Sequence, residues 1–429
     1  MQPQLAGPAR VAVRLSAIQR MSLFLAVMGP GIITAVVDDD ATGVAGYSLA
    51  GAKLGYELIW ALVLSTVALM VVQEMGARMG AITGKGLADL IRERFGVRLT
   101  LFAMVTLLVA NATTTVAEFA GVAGASEIFG ISRFITVPLA AVAVFAVVGF
   151  GSYRKVELVL LSFSLVFVSY IITAFVAKPD WGAVGRGAVV PAFHFNLTYI
   201  TILIGLVGTT ITPWMQFYLQ SSVVDKGIGE REYRWERWDV WIGSVLQSVI
   251  ALSILVTTAA TLYTDHAPAD TVPQVAEALR PLAGDFAAEL FGIGLLNASL
   301  MAMAVLPLGT AYAICEAFGW ERSVNRGPRE APLFFGLFAG ILALGAVAVL
   351  VPGVPLLVLL FLPNVVGGIL LPVILVLMLL LVNDRRLMGR WVNSRKQNAV
   401  AWATAWALIA LTAVYVAVAG LQLFGAIEA

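Results

Sequence analysis

The most constraining feature of this chain is a series of apolar blocks about 20 residues long, the number a helix needs to cross a hydrocarbon core ~30 Å thick. Reading them between charged or Pro/Gly punctuation predicts eleven membrane spans. Six fall in the first half, over residues 23–50, 56–80, 98–127, 134–150, 153–177 and 197–222. Five follow, over 238–264, 282–318, 332–352, 355–382 and 397–425. Of the 429 residues, 60% are hydrophobic and 12% charged. Soluble domains carry about 25% charged residues, so a water-soluble globule is excluded.

Lys and Arg set the orientation, because cytoplasmic loops carry their excess. With the N-terminus inside, the cytoplasmic side receives Arg10, Arg14, Arg20, the group Arg78 to Arg98, Arg154, Lys155, Lys226 to Arg237, Arg322 to Arg329, and Arg385 to Lys396. Only Lys53, Arg133, Lys178, Arg186 and Arg280 fall outside, so 22 of the 27 basic residues obey the rule. An odd span count then puts the C-terminus on the external or periplasmic side. The first span lacks an A-x-A-like cleavage site, so no removed signal peptide is predicted. Short loops point to a bacterial inner membrane.

Two spans break the pattern. The first contains GPGIITAVVDDDATG, with Asp38, Asp39 and Asp40 near its middle. A charge there costs at least ~2.5 to 3.5 kcal/mol on insertion scales, so these acids must face a polar cavity or a partner. No span holds an unambiguously central basic residue, which makes a mobile cation the natural counter-charge. The sixth span contains LVGTTITPWMQ, where Gly208, three Thr and Pro213 interrupt the helix. Pro removes an amide donor and frees backbone carbonyls, although a simple kink is the commoner meaning of one Pro. Two interrupted segments, one early in each half, point to an inverted-repeat transporter with a central site.

Other functions lack their signatures. The net charge is +1, and the long basic runs with interleaved aromatics that mark nucleic-acid binding are absent. There is no G-x-x-x-x-G-K-[ST] loop for ATP and no H-E-x-x-H metalloprotease motif, so an enzyme is not predicted. The single Cys315 can form neither an internal disulfide nor a thiolate cluster. The segment DKGIGEREYRWERWD, Asp225 to Asp239, balances acids and bases and reads as a solvated or lipid-facing link.

The segments GPGIITAVVDDDATG, ARMGAITGKGLADLIRERFG, GTTITPWMQFYLQSS and NDRRLMGRWVNSRKQN resemble, in order along nearly the whole chain, the Nramp family of divalent-metal transporters. The resemblance implies an all-α protein of the LeuT type, with eleven transmembrane helices, helices 1 and 6 unwound, and alternating access. Its divisions would be a cytoplasmic segment 1–22, one inverted five-helix repeat over 23–177, a second over 197–382, and a last helix over 397–425. Counting from Gly29-Pro30-Gly31, the family's Asp-Pro-Gly-Asn falls on Asp40-Ala41-Thr42-Gly43. Asp40 thus takes the metal-binding aspartate's place, and Gly43 replaces the asparagine. In the family's Ala-x-x-Met-Pro-His the alanine carbonyl and the methionine sulfur touch the metal. Thr209 stands for the alanine, Thr212 for the methionine and Trp214 for the histidine, which implies Asp40 as the only charge on the ion or its waters, with the Thr209 carbonyl and the Thr212 hydroxyl opposite. Gln220 replaces a further histidine and Thr115 an aspartate of the third span, so Trp214, Gln220 and Thr115 are lost proton-relay positions. Asn364 matches a glutamine that can reach the metal.

These departures predict the cargo. A thioether favours soft transition metals, and a hydroxyl at Thr212 leaves hard oxygen donors. Gly43 opens space for an ion that keeps part of its water. Mg²⁺ dehydrates reluctantly and is commonly held through one or two carboxylates plus waters. The pattern is similar to the Nramp-related magnesium transporter branch, which implies Mg²⁺, with Mn²⁺, as transported substrate and no cofactor. Divalent ions and lipid are the expected partners, without an obligate protein partner.

Asp38 and Asp39 cannot both share Asp40's face, because successive helical residues point about 100° apart, and are placed in a second layer or on the entry path. Glu118 is either a lone proton carrier or a buried carboxyl bound to Asn111 or a neighbouring span. The only histidines, His194 and His266, fall in external loops, so transport independent of protons is expected. Two alternatives stay open: a proton-coupled Mn²⁺/Fe²⁺ transporter, and a Na⁺-coupled organic-solute symporter of the same fold.

Overall fold

The computed structural model describes residues 29–150, 167–280, 284–321 and 328–423. The segment 1–22, the start of the first span, residues 153–166 of the fifth, Arg322 and Arg326, and the last residues of the eleventh span lie outside them.

Among the described residues the protein is all helix. In chain order the helices are α1 (Pro30–Asp38), α2 (Ala41–Leu54), α3 (Ile59–Thr83), α4 (Leu87–Phe95), α5 (Val97–Ile128), α6 (Arg133–Phe150), α7 (Phe167–Val176) and α8 (Trp181–Val189). They continue with α9 (Leu197–Thr210), α10 (Pro213–Asp225), α11 (Tyr233–Thr258), α12 (Val272–Ala276), α13 (Ala287–Phe318), α14 (Pro332–Leu350), α15 (Leu356–Val382), α16 (Arg385–Met388) and α17 (Arg395–Leu423). Eight helical stretches among the described residues are long and apolar enough to cross a bilayer. The first span is not one of these because it is divided into α1 and α2, with Asp39 and Asp40 between the halves. The sixth span is divided between Thr210 and Pro213.

The short helices α4, α8, α12 and α16 escaped the span reading because none is an apolar block of membrane length. Gly86 and Gly96 bound α4, which buries Leu87, Ala88, Leu90 and Ile91 and turns its charges outward. Asp180 starts α8 by accepting from the amides of Gly182 and Ala183. The Asp225 to Asp239 link also departs from expectation: α11 begins at Tyr233, and Tyr233, Glu236 and Asp239 are buried rather than solvated. Asp239 turns inward because its Oδ2 accepts from the amides of Gly29 (3.1 Å) and Gly31 (2.7 Å), satisfying donors that the first turn of α1 cannot pair internally.

Hydrophobicity gives little drive between helices in lipid, so close packing and polar ties must join them. Leu64, Phe102, Leu139 and Trp406 are exposed on the outer surface, as suits lipid-facing side chains. Inside, α1 and α2 pack on α11, α5 lies against α13 and α15, and α9 runs along α15. A Cβ on Gly208 would come within 2.1 Å of the Asn364 carbonyl and 2.5 Å of the Gly368 nitrogen, so only a hydrogen there lets α9 and α15 approach to backbone contact.

A polar knot ties α3, α11 and the start of α17. Glu74 accepts from the Tyr233 hydroxyl and from Gln397 Nε2 (3.0 Å), and pairs with Arg78 at 3.3 Å. Arg78 also donates to Asn393. Residues from two of the family-like segments thus close one end of the bundle.

Candidate functional site

The first break follows from Asp40. Its backbone is extended and its Oδ1 accepts from the amides of Thr42 and Gly43 (both 2.9 Å) and the Thr42 hydroxyl (2.7 Å), making it the N-cap of α2. A carboxylate suits that position, because the first amides lack helical partners and the helix dipole is positive there. Glu118 of α5 joins it: Oε2 accepts from the Ala41 amide at 3.4 Å, whereas Oε1 finds no protein partner. Asn111 instead donates to the Thr310 hydroxyl at 2.6 Å, so Glu118 is tied to a neighbouring span rather than to Asn111.

The second break follows from Pro213, which takes the first helical position of α10, where a missing amide hydrogen is tolerated. Thr212 precedes it, and its hydroxyl leaves its own helix uncapped and donates to Asp38 Oδ1 at 2.8 Å. Gln247 of α11 donates to the other oxygen of Asp38 and, at 3.3 Å, to the Thr210 carbonyl. Asp38 therefore ties the last turn of α1 to the second break. The Tyr47 hydroxyl lies 3.1 Å from Thr210 Oγ1 and links α2 to the same point.

Several predicted residues converge here. A Cβ on Gly43 would meet the Asp38 carbonyl at 2.9 Å and Thr209 Oγ1 at 3.7 Å. Gly43, Thr209 and the end of α1 thus share one small volume. Thr209 is fully buried and its hydroxyl has no protein partner. Asn364 reaches the same layer and donates to the Thr42 carbonyl at 2.7 Å. Asp39 is fully buried, and neither of its oxygens has a protein partner. Among the described residues no three His, Cys, Asp or Glu side chains converge as a ready metal cage.

The three predicted lost-relay positions are occupied otherwise. Thr115 returns its hydroxyl to the Asn111 carbonyl (2.7 Å) and faces Gly345 of α14. Trp214 is buried and tilted on Tyr218 with ring centroids 5.8 Å apart. Gln220 donates to the Lys85 carbonyl at 2.9 Å. Sequence reasoning missed Gln247, Tyr47 and Asp239. A glutamine within the apolar span 238–264 was the available signal for the first; nothing local announced that Tyr47 and Asp239 act across the bundle.

Two broken helices that meet at buried carboxylates and freed backbone are the arrangement of transporters built on discontinuous helices, the LeuT-type fold among them. The sequence pattern of the family described as "Natural resistance-associated macrophage protein-like", Nramp, matches residues 31–418, and this chain belongs to that family of transporters. It is 28% identical over 398 residues to a protein of Bacillus subtilis (strain 168) named divalent metal cation transporter MntH, covering 90% of this chain and 91% of the relative. A Klebsiella pneumoniae protein of the same name is 29% identical, with 90% and 92% covered. The crystal structure of an Eremococcus coleocola manganese transporter in complex with an aromatic bis-isothiourea substituted compound has the same fold, with TM-score 0.75, 21% identity, and 97% and 91% of the chains covered. MhsT in complex with L-phenylalanine is more distant, at TM-score 0.59, 14% identity, and 93% and 98% covered.

Proposed function

We propose that this protein carries divalent metal cations across a membrane by alternating access between the two breaks, that Mg²⁺ is its main cargo with Mn²⁺ also carried, and that the membrane potential drives uptake without protons. The observation that carries the reading is the donor chemistry at the breaks. The Asp40 carboxylate, the Asp38 carbonyl and the Thr209 hydroxyl stand around Gly43, and a hydroxyl, that of Thr212, occupies the place of the family's thioether. Hard oxygen donors suit Mg²⁺, Ca²⁺ and Mn²⁺, and Mg²⁺ is commonly held through one or two carboxylates plus waters. The end of α1 adds carbonyls and the negative end of its dipole.

In this reading α1 and α9 open the two five-helix repeats, 23–177 and 197–382, and Asp40 is the ion's principal charge. Thr209 supplies a carbonyl, Thr212 acts through Asp38, and Asn364 holds the first turn of α2. The N-terminus is cytoplasmic. Moving one charge through 100 mV is worth about 2.3 kcal/mol, so a divalent ion gains about 4.6 kcal/mol, roughly a thousandfold accumulation.

A second reading, proton-coupled Mn²⁺ transport, draws on Glu118, an acid that shares the N-terminus of α2 with Asp40. Uptake of Mg²⁺ and of Mn²⁺ into proteoliposomes, with Asp40→Ala as control, tests the proposal. Mg²⁺ entry that the variant lacks is expected. Exclusion of Mg²⁺ while Mn²⁺ enters would contradict it.

A further inference from the structure

The three consecutive acids of the first break are differently employed. Asp38 has both oxygens engaged, by Thr212 and by Gln247. Asp40 commits one oxygen to three donors of the first turn of α2. Asp39, at the point where the chain leaves α1 (φ −78°, ψ 43°), is 0% exposed and neither of its oxygens is engaged. No protein cation offsets it: among the described residues the one buried basic side chain is Arg78, which is held by Glu74 and Asn393 in the knot at the end of the bundle. A buried carboxylate without donor or counter-ion is either held neutral by a proton or compensated by a cation that comes and goes.

We propose that Asp39 is a second ion-binding carboxylate of the break, so that a divalent ion or its water shell is met by Asp39 and Asp40 together, while Asp38 is a brace that never touches the ion. The inference rests on the divalent-cation reading and adds a charge that the family-like pattern does not mark. Two carboxylates match the charge of a divalent ion and the number that Mg²⁺ commonly takes beside its waters. The unwound backbone at Asp39 and Asp40 gives their side chains directions that a continuous helix, with successive residues about 100° apart, would deny them.

The test is Mg²⁺ transport and Mg²⁺-induced thermal stabilisation of the full-length protein carrying Asp39→Asn, beside Asp38→Asn and Asp40→Asn. Asparagine copies the shape of a protonated aspartate, so an acid that is merely buried and neutral tolerates the change. The expected result for Asp39→Asn is a KM for Mg²⁺ raised about thirtyfold or more with maximal rate largely kept, and loss of stabilisation by Mg²⁺. Asp38→Asn is expected to lower maximal rate with little change in KM. Should Asp39→Asn not be recovered folded, Asp39→Ser is judged by the same two readouts. An Asp39 variant with unchanged KM and unchanged stabilisation overturns the inference; if Asp40→Asn is inactive in that same experiment, the divalent-cation reading survives. A wild-type protein that neither binds nor carries Mg²⁺ or Mn²⁺ overturns both.

Discussion

The two breaks use the same backbone device with opposite chemistry. The first lies between Asp38 and Ala41, holds two acids directly after a third that ends α1, and is started again by one of them as its own N-cap. The second lies between Thr210 and Pro213, contains no charge, and is started again by proline geometry, while its Thr212 hydroxyl serves the other break. Each interruption removes helical hydrogen bonds where water is scarce, so each needs substitutes. The difference teaches a division of labour: the first break brings buried charge, which the proposed function assigns to the ion, and the second brings neutral donors and carbonyls that hold the charged segment in place.

Predictions that break or sharpen this comparison run from large effects to small. Asp40→Ala removes the cap of α2 and, on the proposed function, the ion's principal charge; Mg²⁺ uptake in proteoliposomes is expected to fall by at least a hundredfold. Gln247→Leu leaves an oxygen of Asp38 without its donor; thermal unfolding is expected to show about 1–3 kcal/mol of destabilisation, with uptake slowed by a smaller maximal rate. The double change Gly43→Asn with Thr212→Met, which restores the family's amide and thioether, is expected to shift preference towards Mn²⁺ over Mg²⁺ on the order of tenfold in competition uptake. Its yield should fall, because a side chain at Gly43 crowds the Asp38 carbonyl. Asp239→Asn keeps a hydrogen-bond acceptor at the start of α1 but removes the charge; about 1 kcal/mol of stability is expected to be lost, read by thermal unfolding.

Much of this was legible in the sequence, for physical reasons. Acids inside an apolar span and a Pro with Gly and Thr inside another are costly in lipid, so both breaks announce themselves locally. The resemblance to the family picked out Asp40 by counting from Gly29-Pro30-Gly31, Thr209 from the motif around Pro213 and Asn364 from the tenth span, and the fold brings these three residues to the two breaks. The pairings were not legible. Thr212 and Gln247 reach Asp38 across 174 and 209 residues of chain, and no periodicity within a span encodes such a partner. Asp239 misled in the same way: a balanced run of charges resembles a solvated link until the amides of Gly29 and Gly31 are placed against it. Helices α4 and α8 were missed because length and apolarity, which find spans, do not find short helices between them.

The most direct test of the account is Mg²⁺ flux in proteoliposomes at a series of clamped potentials, with net charge and internal pH recorded together. The account predicts two charges moved per Mg²⁺, uptake that follows voltage, and no change of internal pH. Acidification in step with uptake, or a flux that a pH gradient drives at zero potential, would contradict it.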